Sequence, residues 1–188
     1  MRQKRFLLIL ALLCAVVQGA WADKWNGSVS RPTYDASRNF VIIRTGAELA
    51  YVHQHWDDDS GDGVDKDYYE HNYYLEDDLD LSDFVWTPLG RGGKQYKGYF
   101  QGNNHTITLV IEGATDNYQG LFADISSSGQ VENLHVSGLI QCKDSRLVGG
   151  IAGQNDGFIR NCWVSADVMS AWHNDWSSST AKVGGICG

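Results

Sequence analysis

Three nearly identical phrases in the second half of the chain constrain its fold more than any other feature. They are residues 118–123 (YQGLFA), 148–153 (VGGIAG) and 183–188 (VGGICG), and their glycines at 120, 150 and 185 are separated by 30 and 35 positions. A second phrase, residues 129–137 (GQVENLHVS), returns at residues 157–165 (GFIRNCWVS) with an offset of 28. Repeats of this length predict a solenoid, in which each unit buries its apolar side against its neighbours.

The residue types inside the repeat favour strands over helices. Leu134, Val136 and Ile140 occupy one side of a two-residue alternation, and Cys162 and Val164 take the matching positions of the next unit. A period of two is typical of a half-buried β-strand. The sequence therefore predicts an all-β chain that folds as a right-handed parallel β-helix.

A corner of the repeat is expected at Asn133 and Asn161. The alternation shifts by one residue around each of them. The apolar residues Val131 and Ile159, which precede the two asparagines, are out of step with the apolar positions that follow. Asparagine tolerates the left-handed backbone geometry that a sharp bend requires. Stacked at equal heights, the two side chains can also form a hydrogen-bonded ladder.

These phrases resemble a known repeat. Residues 148–162 (VGGIAGQNDGFIRNC) and 120–122 (GLF) look like the GLUG repeat of bacterial secreted and surface proteins. Upstream segments are similar to those that precede the repeats in that family, and they are residues 25–29, 45–50, 74–82, 86–90 and 99–107.

The resemblance has two departures and a functional implication. Gln101 stands where the family usually has Asp, and Asn104 stands where Gly is usual. Because Asn adopts positive φ, the turn is expected to persist. The resemblance implies a β-helical adhesin-like protein of the bacterial cell surface or secreted fraction, and it carries no catalytic site.

The first 22 residues are typical of a secretory signal peptide. Arg2, Lys4 and Arg5 precede an apolar run from 6 to 17, and residues 20–22 (AWA) form a small-x-small cleavage site. The apolar run is too short to span a bilayer, and no transmembrane segment is expected elsewhere. We expect residues 1–22 to be removed, residues 23–117 to form the N-terminal cap and lead-in turns, and residues 118–188 to form the repeats.

The charge balance excludes one class of partner. The chain has 15 basic and 23 acidic residues, a formal net charge of −8, and without the three basic residues of the leader the net charge is −11. A strongly acidic chain is a poor ligand for nucleic acid or anionic lipid. The balance is compatible with cations or neutral glycans, and it also serves solubility. A host or environmental glycan or protein is the expected partner.

A short helix is expected to cover the first turn of the solenoid. Thr45 and Glu48 form a capping box that predicts a helix through about His55, with Leu49 on its apolar face. Open ends of a β-helix need such a cover. His53 and His55 are two residues apart, so they point in different directions and are not expected to bind a metal together.

Acidic residues suggest two further sites, and neither is adopted. Residues 57–67 fit the first half of a calcium loop, but Tyr69 stands where the closing Glu should be. The loop is interpreted as solvated, with loose calcium binding as the alternative. Asp78 and Asp80 lie on the same side of one strand, and paired carboxylates are also found in polysaccharide-cleaving enzymes. Nothing in the sequence provides a buried pocket for either carboxylate.

Trp172 and Trp176 are the candidate ligand-binding residues. They lie in a loop that lengthens the last repeat unit and is otherwise composed of small polar residues. Exposed aromatic faces bind glycans and peptides at a low cost in entropy. The alternative is that both rings fold back over the sheet.

The end of the sequence and its cysteines complete the expectations. Cys142, Cys162 and Cys187 do not stack on one another in the repeat register, so no disulfide is expected. The third glycine phrase ends at Gly188 without a polar closing unit, so a longer protein or a frayed last turn is expected. No His-Glu-x-x-His motif is present.

We predict a non-enzymatic, cofactor-free, surface-associated binding protein. The alternatives are a polysaccharide-active enzyme and the scaffold of a larger exported peptidase.

Overall fold

The chain forms a parallel β-solenoid of about four turns, described by a computed structural model for residues 22–58, 67–90, 92–171 and 182–188. The all-β prediction is thereby confirmed. The elements in chain order are β1 (Thr33–Asp35), β2 (Phe40–Ile43), α1 (Gly46–Gln54), a 3-10 turn (Tyr68–Glu70), β3 (Tyr73–Leu75), β4 (Leu79–Val85), β5 (Tyr99–Gln101), β6 (Thr106–Ala114), β7 (Tyr118–Gln119), β8 (Phe122–Ile125), β9 (Gln130–Glu132), β10 (His135–Cys142), β11 (Leu147–Val148), β12 (Ala152–Asn155), β13 (Phe158–Arg160), β14 (Trp163–Val164), β15 (Asp167–Ser170) and β16 (Lys182–Val183).

Each complete turn contributes one strand to each of four sheets. Face A contains β4, β6, β10 and then β14 with β15, and face B runs β1-β2-β3-β5-β9-β13. Face C pairs β8 with β12, and face D runs β7-β11-β16. Among the described strands, every pairing except that of β1 with β2 is parallel, as a solenoid requires.

Apolar side chains stack in columns through the interior. On face A, Ile107 pairs with Val136, and Val136 pairs with Val164. Ile107 and Val136 are fully buried, and Val164 packs against the same core. Since burying one aliphatic side chain contributes about 1.5–3 kcal/mol, such columns are the main source of stability. The predicted stacking of the 28-residue repeat is confirmed by this register.

The asparagine corner is confirmed, but its side-chain hydrogen bond differs from the ladder that we expected. Asn104, Asn133 and Asn161 all have positive φ, at 63°, 55° and 50°. The amide of Asn133 donates to Gln101 Oε1 at 3.0 Å, and the backbone N–H of Asn103 donates to the same oxygen at 2.9 Å. Gln101 therefore stabilises the turn, and Asn104 preserves the turn geometry, as expected.

Three elements cover the N-terminal end of the solenoid. Helix α1 has Thr45 as its N-cap with the complete capping box, and it buries Leu49 and Val52 in the common core. Strand β1 closes the edge of face B in antiparallel orientation. Lys24 forms a parallel bridge with Asp80 at the edge of face A. The predicted capping helix is thus present, with two backbone segments beside it. No helix in the described ranges is long and apolar enough to cross a membrane.

The last turn is the least buried of the solenoid. Ile159, Cys162 and Val164 face the core but remain partly accessible. Cys162 follows the register of Leu134, Cys187 bridges to Ala152, and all three described cysteines are free thiols. The register that was predicted for these cysteines is confirmed.

Candidate ligand-binding cleft at the N-terminal end

The site residues chosen from the sequence lie outside the described part of the chain. Trp172 and Trp176 fall within residues 172–181, most of the acidic loop falls within 59–66, and most of the leader falls within 1–21. These predictions stay untested. In the described ranges, no group of three or more His, Cys, Asp or Glu side chains is arranged to hold a metal ion.

A cavity lies at the N-terminal end of the described chain. It is an open cleft of about 620 Å³, formed by the lead-in segment 22–30, the start of α1, the residues that open β4, and His105 at the corner before β6. These four segments are far apart in sequence, and the first two turns of the solenoid bring them together. The volume lies within the range of about 300–1,000 Å³ that is typical of small-ligand sites.

The lead-in segment forms one wall of the cleft and is held by backbone and aromatic contacts. Trp25 N donates to Asp80 O at 2.7 Å, and Ser30 N donates to Ala47 O at 3.1 Å. The indole of Trp25 packs 5.1 Å from the ring of Phe84, and its Nε1 donates to Ser28 O at 2.7 Å. The wall is therefore anchored at both ends.

Glycine is required where α1 approaches this wall. A Cβ atom on Gly46 would lie 2.6 Å from Trp25 Cβ and 2.7 Å from a methyl group of Leu81. Both neighbours are held by their own packing, so a side chain at position 46 would push the indole away from the helix. The close contact holds the start of α1 against Trp25, and both line the cleft.

Carboxylates form the opposite wall. Asp78 Oδ1 accepts hydrogen bonds from Thr106 N at 2.8 Å and from His105 Nδ1 at 3.0 Å. Asp77 is exposed, and within the described residues no hydrogen bond or ion pair reaches its side chain. Asp77 and the second oxygen of Asp78 are therefore acceptors that a ligand in the cleft can use.

Cations close the remaining sides, and they are already paired. The guanidinium of Arg44 forms an ion pair with Glu76, and Lys24 Nζ lies 2.6 Å from Asp83 Oδ1. The hydrogen bond that Lys24 donates to Asp83 raises the pKa of Lys24 above its ordinary value. Because these cations are paired in place, the charge left in the cleft is that of its carboxylates, which offer hydrogen-bond acceptors to a ligand.

The second carboxylate of the enzyme alternative has a structural role. Leu79 and Leu81 are buried, and Asp78 and Asp80 lie on the other side of the strand, as predicted. Asp80 Oδ1 accepts a hydrogen bond from Ser82 N at 3.0 Å, and its backbone oxygen accepts from Trp25 N. Both carboxylates thus hold the backbone around the cleft.

The sequence interpretation missed two residues of the cleft. Arg44 and His105 lie outside the repeat, so periodicity gave no indication that they share a site with Asp78. A usable signal for His105 was its place directly after the positive-φ residues Asn103 and Asn104, where a corner turns the next side chain outward.

A distant relative is found among curated proteins. A protein of Evansella cellulosilytica described as "Putative Gly-rich membrane protein" is 28% identical over 168 residues, which cover 85% of this chain and 18% of that protein. The chain thus spans less than a fifth of the length of this relative. No family model matches the chain, and no solved structure matches it.

Proposed function

We propose that this chain is a non-enzymatic binding module of an exported, surface-associated β-solenoid protein, and that it binds a neutral glycan in the N-terminal cleft. The observation that carries the proposal is the cleft of about 620 Å³, whose walls combine an anchored indole with carboxylate acceptors that have unused capacity. Planar polar side chains beside an aromatic ring are the groups that hold a polyhydroxylated ligand.

The charge of the molecule supports a neutral ligand over an acidic one. The formal net charge is −8, and the cations at the cleft are compensated by Glu76 and Asp83. A polyanion would lose hydration without gaining an unpaired cation in return. Hydroxyl groups, in contrast, satisfy Asp77 and the second oxygen of Asp78 as hydrogen-bond donors.

Surface association is supported by the leader and by the description of the relative. Residues 1–22 have the charge and apolar pattern of a secretory signal. The relative is described as a membrane protein, and the match spans 18% of it. A role in adhesion, as one module of a longer surface protein, fits the leader and the description of the relative. It also agrees with the GLUG-like resemblance of the repeats.

A glycan array followed by titration calorimetry tests the proposal. We expect neutral oligosaccharides to bind, and we expect Asp77→Ala to weaken binding at least about tenfold, since a hydrogen bond to a charged group contributes about 1.5–3 kcal/mol. Glu112→Ala is the matched control, because Glu112 is an exposed carboxylate at the far end of β6.

Three results would reject the proposal. The first is equal binding by Asp77→Ala and Glu112→Ala, and the second is no glycan binding by the unaltered chain. The third is turnover of acidic polysaccharides in a hydrolysis or elimination assay that Asp80→Asn abolishes, since that result would support the enzyme alternative.

A further inference from the structure

Outward-facing side chains of face A form two polar columns beside the cleft. The register places Thr106, His135 and Trp163 side by side on three neighbouring strands. A second column places Asp80, Thr108 and Ser137 at equal heights. Neighbouring strands lie about 4.8 Å apart, so the columns extend roughly 10–15 Å along the axis of the solenoid.

Hydrogen bonds connect the first column to the cleft. Asp78, which lines the cleft, accepts the backbone N–H of Thr106 at 2.8 Å. Thr106 Oγ1 lies 3.1 Å from His135 Nδ1, and His135 Nε2 lies 2.7 Å from Ser165 Oγ. A continuous chain of polar groups thus leads from the cleft to the last turn.

The far end of this chain carries an exposed aromatic ring. The indole of Trp163 stacks on the imidazole of His135, with centroids 4.9 Å apart and planes inclined by 19°. Trp163 remains 47% exposed. The imidazole therefore orients the indole and leaves much of the ring accessible to solvent.

An apolar column borders the polar ones. Val85 pairs with Val110, and Val110 pairs with Leu139, all facing outward on the same face. Val85 is 59% exposed. A surface that alternates hydroxyl groups with aliphatic patches matches a sugar chain, whose rings have polar edges and apolar C–H faces.

The geometry around His135 favours binding over catalysis. Its second ring nitrogen faces the hydroxyl of Thr106 and not a carboxylate, so the Ser165–His135 contact lacks the acidic partner that orients a nucleophile's base. Burial lowers the pKa of His135, with a smaller opposing effect of Asp78. The ring is consequently neutral near pH 7 and adds no charge to the face.

We propose that the face A strip, defined by Thr106, Thr108, His135, Ser137, Trp163 and Ser165, extends the cleft into a track for a neutral polysaccharide that lies along the solenoid axis. This inference rests on the proposed glycan-binding function and specifies its ligand as a polymer. The cleft holds one part of the polysaccharide, and the indole of Trp163 stacks against a sugar ring several units away.

Affinity electrophoresis in gels containing soluble β-glucan, xylan, mannan or dextran tests the track, together with calorimetry of the corresponding disaccharides. We expect Trp163→Ala to weaken binding of the retained polysaccharide about tenfold and to leave disaccharide binding unchanged. Trp163→Phe should recover most of the affinity. Phe158→Ala is the matched control, because Phe158 is a 49% exposed aromatic residue of the same turn on face B.

The outcomes separate the track from the cleft. Equal polysaccharide binding by Trp163→Ala and Phe158→Ala, with disaccharide binding still lost in Asp77→Ala, would overturn the track and leave the cleft in place. Absence of binding to every polysaccharide and disaccharide in the panel would overturn both. Loss of disaccharide binding in Trp163→Ala would also contradict the track, because it would place the indole in the cleft itself.

Discussion

Two glycines at the same place in the repeated phrase provide a sharp test of how the turns stack. A Cβ atom on Gly150 would lie 2.7 Å from Gly185 O and 2.4 Å from a methyl group of Val164, both in the following turn. A Cβ atom on Gly185 would meet no atom of the described residues within 4 Å. The two substitutions, Gly150→Ala and Gly185→Ala, are therefore chemically identical and differ in whether described residues pack against the added methyl group.

The expected cost of Gly150→Ala follows from that contact. The last turn has to move by several tenths of an ångström, which weakens the 2.9 Å hydrogen bond from Gly150 N to Gly185 O. Overpacking costs about 1–3 kcal/mol, and a weakened hydrogen bond costs up to about 1 kcal/mol. The lower entropy of the unfolded chain offsets about 0.4–1 kcal/mol of this. The net loss of unfolding free energy is about 2 kcal/mol.

Urea and thermal unfolding, followed by circular dichroism, measure the difference. We expect the Tm of Gly150→Ala to fall by about 4–8 °C, given about 2–4 °C per kcal/mol for a chain of this size. The Tm of Gly185→Ala should be unchanged or slightly raised. Equal effects of the two substitutions would refute the stacking of residues 148–153 under residues 183–188.

Three further predictions concern the cap, the thiols and the pH dependence. Thr45→Ala removes the capping hydrogen bond of α1 and should lower the unfolding free energy by about 1 kcal/mol in urea titrations; an unchanged midpoint would contradict the cap's contribution. Burial raises the pKa of the Cys142 thiol, so iodoacetamide should label exposed Cys187 first and Cys142 only on unfolding, as read by peptide mass spectrometry; simultaneous labelling would contradict the buried position. Because burial lowers the folded-state pKa of His135 below 6.5, its contribution to stability is complete above that pH and is lost as the pH falls through the folded value. His135→Gln should therefore show a smaller fall in Tm between about pH 7.5 and about pH 5 than the unaltered chain, and an equal fall would contradict this assignment.

The elements that repeat could be predicted because each turn imposes the same constraint on the next. Leu134 and Cys162 occupy the same register position in neighbouring turns. Two residues after each of them, Val136 and Val164 stack on one another in the core. The bend at Asn133 was evident from the shift in parity, since a corner interrupts alternation wherever it occurs. The helix at the N-terminal end was predictable from Thr45 and Glu48, because a capping box is a local signal.

The cleft could not be predicted, because it is built by segments that do not repeat. Trp25, Arg44 and His105 come together only after the lead-in pairs with Asp80 and the corner before β6 turns outward. The role of Gln101 was missed for a similar reason, since its partner Asn133 belongs to the next turn. The side chains that make such contacts between turns are not part of the repeated pattern, so the repeat does not predict them.

The most direct measurement of the solenoid is a disulfide across two turns. Cys142 on β10 pairs with Ser170 on β15, and both face the interior. Aligned residues on neighbouring strands lie close enough for a disulfide, which needs Cα atoms about 4.4–6.8 Å apart. We expect mild oxidation of Ser170→Cys to link position 170 to Cys142, as detected by peptide mass spectrometry. Position 169 faces outward, so Met169→Cys should not link to Cys142. Failure of position 170 to link, or a link from position 169, would contradict the account.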